Sequence, residues 1–300
     1  MRSTSTDGTS AVERLATALE RIGSLLPPTG DPDFSSSIAF RWRKRRYLGV
    51  DRGSPEPIEH PALIAFDDLH HVDAQKEAIS RNTEQFVLGL PANNVLLTGA
   101  RGTGKSSLIR ACLHAYAIQG LRLIEVDKRD LVDLADIVRL LDGRSERFIV
   151  FCDDLSFDAD EPGYKELKAA LDGSVAGASE NVLIYASSNR RHLMPEFMRD
   201  NLAAQHQADG EVHPSEAVEE RISLSERFGL WLSFYPFRQD DYLDIVAHWI
   251  ARFGLNSDDA IAARTEALQF ALQRGSRSGR VALQIARDYA GKRRLQASER

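Results

Sequence analysis

Gly99, Gly104, Lys105 and Ser106 stand in the pattern G-x4-G-K-[ST] inside "LLTGARGTGKSSLIR", residues 96–110. A loop of this kind needs glycines because its backbone N–H groups must close around phosphate oxygens, where a Cβ would intervene. The amides from Arg101 through Gly102, Thr103, Gly104, Lys105 and Ser106 to Ser107 are placed to wrap the α- and β-phosphates of a nucleotide, helped by the positive end of the helix behind them. Lys105 would reach the β- and γ-phosphates, and the Ser106 hydroxyl would ligate Mg2+.

Two acids and three further polar groups can complete such a site. Asp153 and Asp154 end the apolar run "FIVFC". A carboxylate at the C-terminal tip of a buried strand lies where ligands of open α/β sheets bind. Asp153 could hold Mg2+ there, with Ser106, and Asp154 could position the attacking water. Asn189 ends "NVLIYASSN", where its amide could touch the γ-phosphate; the plainer use of an Asn there is to cap the turn that follows. Arg227, in "ISLSERFGLWL", could point across a subunit boundary, with Arg221 as a rival and a surface ion pair to Glu226 or Glu220 as the plain alternative. Arg280 falls in the first turn of the last helix, after Ser278 as cap. A cation there opposes the helix dipole by about 0.3–1 kcal/mol, a misplacement that a facing phosphate would correct.

The elements that position these groups alternate. From residue 61 a helix over "DAQKEAISRNTEQFVLG" precedes the strand "NVLLTG", which runs straight into the glycine loop and the helix "KSSLIRACLHAYAIQG". Strands "LRLIEVD", "RFIVFCDD", "NVLIYASSN" and "LWLSFYPF" follow, the first three separated by helical patterns. Continuous apolar runs such as "FIVFC" belong to a parallel sheet covered on both faces. The pattern predicts an α/β P-loop sandwich with a five-stranded parallel sheet over residues 61–237. Three helices, at 239–253, 257–274 and 279–290, predict a small helical lid over 238–291, before a polar tail at 292–300. Upstream, residues 10–26 place Val12, Leu15, Leu19, Ile22 and Leu26 on one stripe, with Ser10 and Glu13 as a capping box. Residues 27–60 read as an extended linker interrupted by "FRWRKRRYLGV".

Composition narrows the partners. Lys and Arg number 38 against 44 Asp and Glu, a net charge of −6, so bulk attraction to nucleic acid is not supported. The run "FRWRKRRYLG" mixes aromatic and basic residues as a nucleic-acid or acidic-partner patch does, although a solvated linker is the plainer and favoured account. Cys112 and Cys152 read as small buried hydrophobes, as in a reducing cytosol. No stretch approaches the ~20 apolar residues of a membrane span, and "MRSTSTDGTSAVERL" has no apolar leader core. A soluble, cytoplasmic protein without a membrane partner is expected, and the histidines lack zinc-ligand spacing.

Taken together these parts resemble the AAA+ ATPase superfamily, with "GARGTGKS" as Walker A and "FIVFCDD" as Walker B. The phrases "RNTEQFVLGLPANNVLLTGARGTGKSSL", "LRLIEVDKRDLVDL", "NVLIYASSNRRHL" and "HPSEAVEERISLSERFGLWLSF" are similar to a bacterial AAA+ family known as a domain of unknown function. The resemblance implies AAA+ strand order and an ATP site between core and lid, with Mg2+. It implies Asn189 as sensor 1, Arg280 as sensor 2 and Arg227 as an arginine finger acting in trans within a homo-oligomer. His71 and Val72, in "FDDLHHV", would flank the adenine. Two departures stand out: Asp154 where many relatives have the longer Glu, which implies slow hydrolysis, and His71 where most have Gly. The implied activity is ATP hydrolysis coupled to remodelling or loading an unknown protein or nucleic acid; by their position alone, residues 1–60 are the candidate adaptor surface. The alternative is an ATP-gated assembly module resembling helicase loaders, with little turnover. A small-molecule kinase fits the lid and Arg280 poorly, and no N-K-x-D base-reading motif of a GTPase occurs.

Overall fold

The computed structural model describes residues 13–18, 30–156, 162–172, 179–189 and 226–298. One sheet organises the chain, with strand order β2-β1-β4-β5-β6-β3-β7. Its parallel core consists of β3 (Val95–Gly99), β4 (Leu121–Val126), β5 (Arg147–Cys152), β6 (Val182–Ser188) and β7 (Leu230–Phe234). Numbered along the chain, these five strands lie side by side as 2-3-4-1-5. The strand that feeds the glycine loop is therefore flanked by β6, which leads directly into Asn189, and by β7.

Alternation along each strand divides the core into two layers. Val95 and Leu97 of β3, Ile149 and Phe151 of β5 and Tyr185 of β6 pack with α1 (Asp73–Val87) and α2 (Lys105–Tyr116). Leu96, Val150, Cys152, Ile184 and Ala186 face the opposite way, against Leu134, Ile137 and Leu141 of α3 (Leu134–Leu141) and Leu167 of α4 (Pro162–Asp172). Every residue of β6 is buried, which accounts for its unbroken apolar run. Burial pushes both the Cys112 and Cys152 thiols up to about 12, so neither is a nucleophile at neutral pH.

The sheet has seven strands rather than the expected five, because part of the expected linker folds. β1 (Ala39–Tyr47) pairs parallel with β4 and antiparallel with β2 (Val50–Pro57). Leu48 and Gly49 turn the hairpin at φ of 47° and 87°, both in the left-handed region that a two-residue I′ turn demands. Phe40 and Trp42 are buried, and the indole Nε1 donates to Asp133 Oδ2 at 2.9 Å. Gly53 leaves room for that ring: a Cβ there would stand 2.1 Å from it. Of the expected N-terminal helix, residues 13–18 are helical and exposed. Val12, Leu19, Ile22, Leu26 and the Ser10 cap lie outside the described residues, as do Arg221 and Glu220.

The helical region comprises α5 (Gln239–Arg252), α6 (Ser257–Gln273) and α7 (Gly279–Ser298). A capping box at Asn256 starts α6, and Tyr242 Oη donates to Ala267 O at 3.0 Å to tie α5 to α6. α7 continues through the segment read as a polar tail. Arg293 explains the continuation: it pairs with the buried Asp259 at 2.5 Å and fixes the added turns to α6.

Candidate functional site

A cavity of about 490 Å3 opens at the C-terminal tips of β3, β5 and β6 and is closed on its far side by α5 and α7. The glycine loop forms its floor. Gly99, Gly102 and Gly104 adopt φ of 132°, 73° and 102°, conformations that a side chain would strain. A Cβ at Gly99 would also stand 1.9 Å from the Phe234 carbonyl oxygen, so close approach of β7 excludes any other residue. The Thr103 hydroxyl donates to Ala100 O at 2.8 Å and holds the arch. Residues 101–107 all line the cavity, whereas Gly99 shapes the loop from below.

Lys105 opens α2 and is nearly enclosed, 5% exposed. Its ammonium donates to Gly99 O at 2.8 Å, Ala100 O at 2.7 Å and Asn189 Oδ1 at 2.9 Å. Burial drives its pKa down to about 8, with the nearby Asp153 and Asp154 carboxylates opposing the shift. Asn189 also turns its amide NH2 to Asp154 Oδ1 at 2.5 Å and so bridges the lysine and the second acid.

The two acids divide their partners. Asp153 Oδ1 accepts from Ser106 Oγ at 2.7 Å and from Ser187 Oγ at 2.5 Å. Asp154 turns at a φ of 54°, its N–H donates to Ser187 Oγ at 3.1 Å, and Arg101 Nη2 stands 3.6 Å from its carboxylate. Among the described residues no group of three or more His, Cys, Asp or Glu could cage a metal. The Ser106 hydroxyl and the Asp153 carboxylate are two oxygens of the kind Mg2+ takes when phosphates supply the rest, so the donor set fits that ion.

The helical region reaches the loop directly. Gly279 N–H donates to Gly102 O at 2.9 Å, and Ser278 Oγ caps Val281 N at 3.3 Å. Arg280, next in line, faces the cavity. Ile64, Val72, Phe237, Ile245 and Trp249 add an apolar wall on which a base can lie.

Two sequence expectations fall elsewhere. The histidine at the cavity is His70; His71, at a φ of 60°, is drawn off between Asp241 and Asp244 of α5, at 3.4 and 3.5 Å. Arg227 lies off its own chain's cavity, and its Nε donates to Asp172 Oδ1 at the end of α4. Ser187, Gly279 and Trp249 were not singled out. Ser187 was legible as a hydroxyl at a strand tip beside Asn189; the other two depend on how the lid folds back.

A glycine loop after the first strand of a 2-3-4-1-5 parallel sheet, an acid pair ending the third, an amide ending the fourth and a helical region after the fifth form the AAA+ arrangement of the P-loop fold. The chain has that fold. The family model described as "Protein of unknown function (DUF815)" matches residues 35–293, and the chain belongs to that family. No curated protein matches the sequence. Similar solved structures include a point variant of Thermotoga maritima RuvB, at TM-score 0.49 and 17% identity over 74% of this chain and 63% of that one. Aeropyrum pernix ORC1 in complex with DNA gives 0.49 and 17% over 80% and 68%. The HORMA:CdnC:Trip13 complex of E. coli MS115-1 gives 0.46 and 16% over 74% and 89%. This chain thus spans less than two thirds of the RuvB chain.

Proposed function

We propose that the cavity binds Mg2+-ATP and hydrolyses it to ADP and phosphate at a site that a second copy of the chain completes, and that turnover remodels or loads a partner. The observation that carries this reading is the linked set Lys105–Asn189–Asp154 beside Ser106–Asp153, all facing the glycine loop. Mg2+ would neutralise phosphate charge, held by Ser106 and Asp153. Once Lys105 turns to phosphate oxygens, Asn189 Oδ1 loses a donor and its amide is released toward the γ-phosphate. Asp154, freed from that amide, is left to orient and polarise water. Arg280 supplies positive charge from the lid side. Arg227 stands off its own cavity, which supports the reading that, once released from Asp172, it serves a neighbour's phosphate as an arginine finger in trans.

A second reading has its own support. The side chain of Asp154 is short, and Asn189 and Arg101 engage it while Lys105 is occupied with protein acceptors. That arrangement suits an ATP-gated assembly module with trace turnover. Nucleotide binding and phosphate release, measured together for wild type, Lys105→Ala and Asp154→Asn, separate the cases. Hydrolysis predicts that Lys105→Ala loses both, and that Asp154→Asn keeps binding while release falls about 100-fold. Tight binding with negligible release from wild type would leave the assembly reading. Absence of binding would end both.

A further inference from the structure

The hairpin of β1 and β2 carries a charge opposite to the rest of the chain. Residues 39–57 hold six basic side chains against two acidic ones, a net +4 within a chain of net −6. The pleat sorts them. Phe40 and Trp42 turn into the core, while Arg43, Arg45 and Tyr47 share the other face. Register places Arg52 directly opposite Arg45, and Val50 opposite Tyr47.

Like charges facing each other across an antiparallel pair are destabilising, and this pair is surface-exposed on both strands. Arg45 pairs with Glu56 and Arg43 lies in the field of the Asp127 carboxylate, but among the described residues no ion pair or hydrogen bond engages the Arg52 side chain. The buried Trp42 holds the hairpin rigid against Asp133, so the arginines are presented on a fixed frame. β2 is the sheet's edge, yet Gly53, Pro55 and Pro57 make it a poor template for another chain's strand. Binding here would use the face of the hairpin and not its edge.

We infer that this face docks single-stranded nucleic acid: Arg43, Arg45 and Arg52 take successive backbone phosphates, and Tyr47, half-buried beside the exposed Val50, stacks a base. Cations on one pleat face with an aromatic at the end of the row are the two components of a single-strand platform. The surface is separate from the nucleotide cavity, so its test needs no nucleotide and its failure leaves the hydrolysis reading untouched.

The experiment is fluorescence anisotropy of a labelled oligothymidine strand against the full chain over a salt series. Three phosphate contacts at about 0.7 each give a log–log slope near −2, or about a twentyfold loss between 50 and 200 mM salt. The triple variant Arg43→Gln/Arg45→Gln/Arg52→Gln should flatten that slope to near zero and, with affinity at 1 M salt unchanged, bind about 500-fold more weakly at about 50 mM. Tyr47→Ala should cost about tenfold. The charge-matched control Arg139→Gln/Arg264→Gln/Arg287→Gln, exposed on α3, α6 and α7, should bind as wild type does. Arg52→Gln alone, at the exposed edge, keeps the test available should the triple variant fold poorly. No binding by wild type, or equal binding by the folded triple variant or Arg52→Gln, overturns the proposal. A matched duplex bound as tightly with Tyr47→Ala indifferent overturns the single-strand assignment. Capture of polyglutamate in place of nucleic acid would assign the face to an acidic protein.

Discussion

Proton uptake on nucleotide binding is a direct consequence of how Lys105 is held. The enclosed ammonium has its pKa lowered to about 8 by burial. Phosphate oxygens beside it would favour the charged form and return the pKa toward its ordinary range. Neutral lysine then amounts to about half the free chains at pH 8 and about nine-tenths at pH 9, so binding should take up about 0.5 and about 0.9 protons. Titration calorimetry with a non-hydrolysable ATP analogue and Mg2+, in buffers of low and high ionisation enthalpy, reads these numbers as a slope. Lys105→Arg stays charged throughout and should show no such uptake. Uptake missing at pH 9, or undiminished in Lys105→Arg, would refute the reasoning. The same shift gives a sign for stability. The folded pKa lies below the unfolded 10.5, so burying the cation costs stability below about 8, and the cost fades as pH rises from there to 10.5. The ligand-free wild type should therefore gain stability relative to Lys105→Met across that window.

Two substitutions test the rest of the account. Asn189→Ala removes the bridge between Lys105 and Asp154; phosphate release should fall about 100-fold while nucleotide affinity changes little, measured by release assay and calorimetry together. Trp42→Ala empties a buried site and should cost about 3–5 kcal/mol in urea denaturation; a loss under about 1 kcal/mol would mean that the hairpin packs as a loose linker.

The glycine loop, the parallel core strands and the lid helices were legible because each has a local signature. The loop needs glycine at fixed offsets, and buried strands such as β6 read as unbroken apolar runs. β1 was hidden by its charge: only Ala39, Phe40 and Trp42 point inward, and the exposed arginines between and after them mask a period of two. α7 was cut short for a similar reason, since its last turns are polar and rely on Arg293 meeting Asp259 far off in sequence. At the site, Lys105, Ser106, Asp153, Asp154 and Asn189 converge as their positions at strand tips require. The exchange of His70 for His71 was not legible, because the left-handed turn at His71 is stabilised by α5 carboxylates that only the folded lid brings near.

The central claim is hydrolysis at a site shared between copies, and phosphate release against protein concentration, for wild type and Arg227→Ala in parallel, tests it most directly. Specific activity should rise with concentration in the wild type and fall by about 10³-fold or more in the variant, whose ATP binding persists. Activity that is constant with concentration and indifferent to Arg227 would contradict the account.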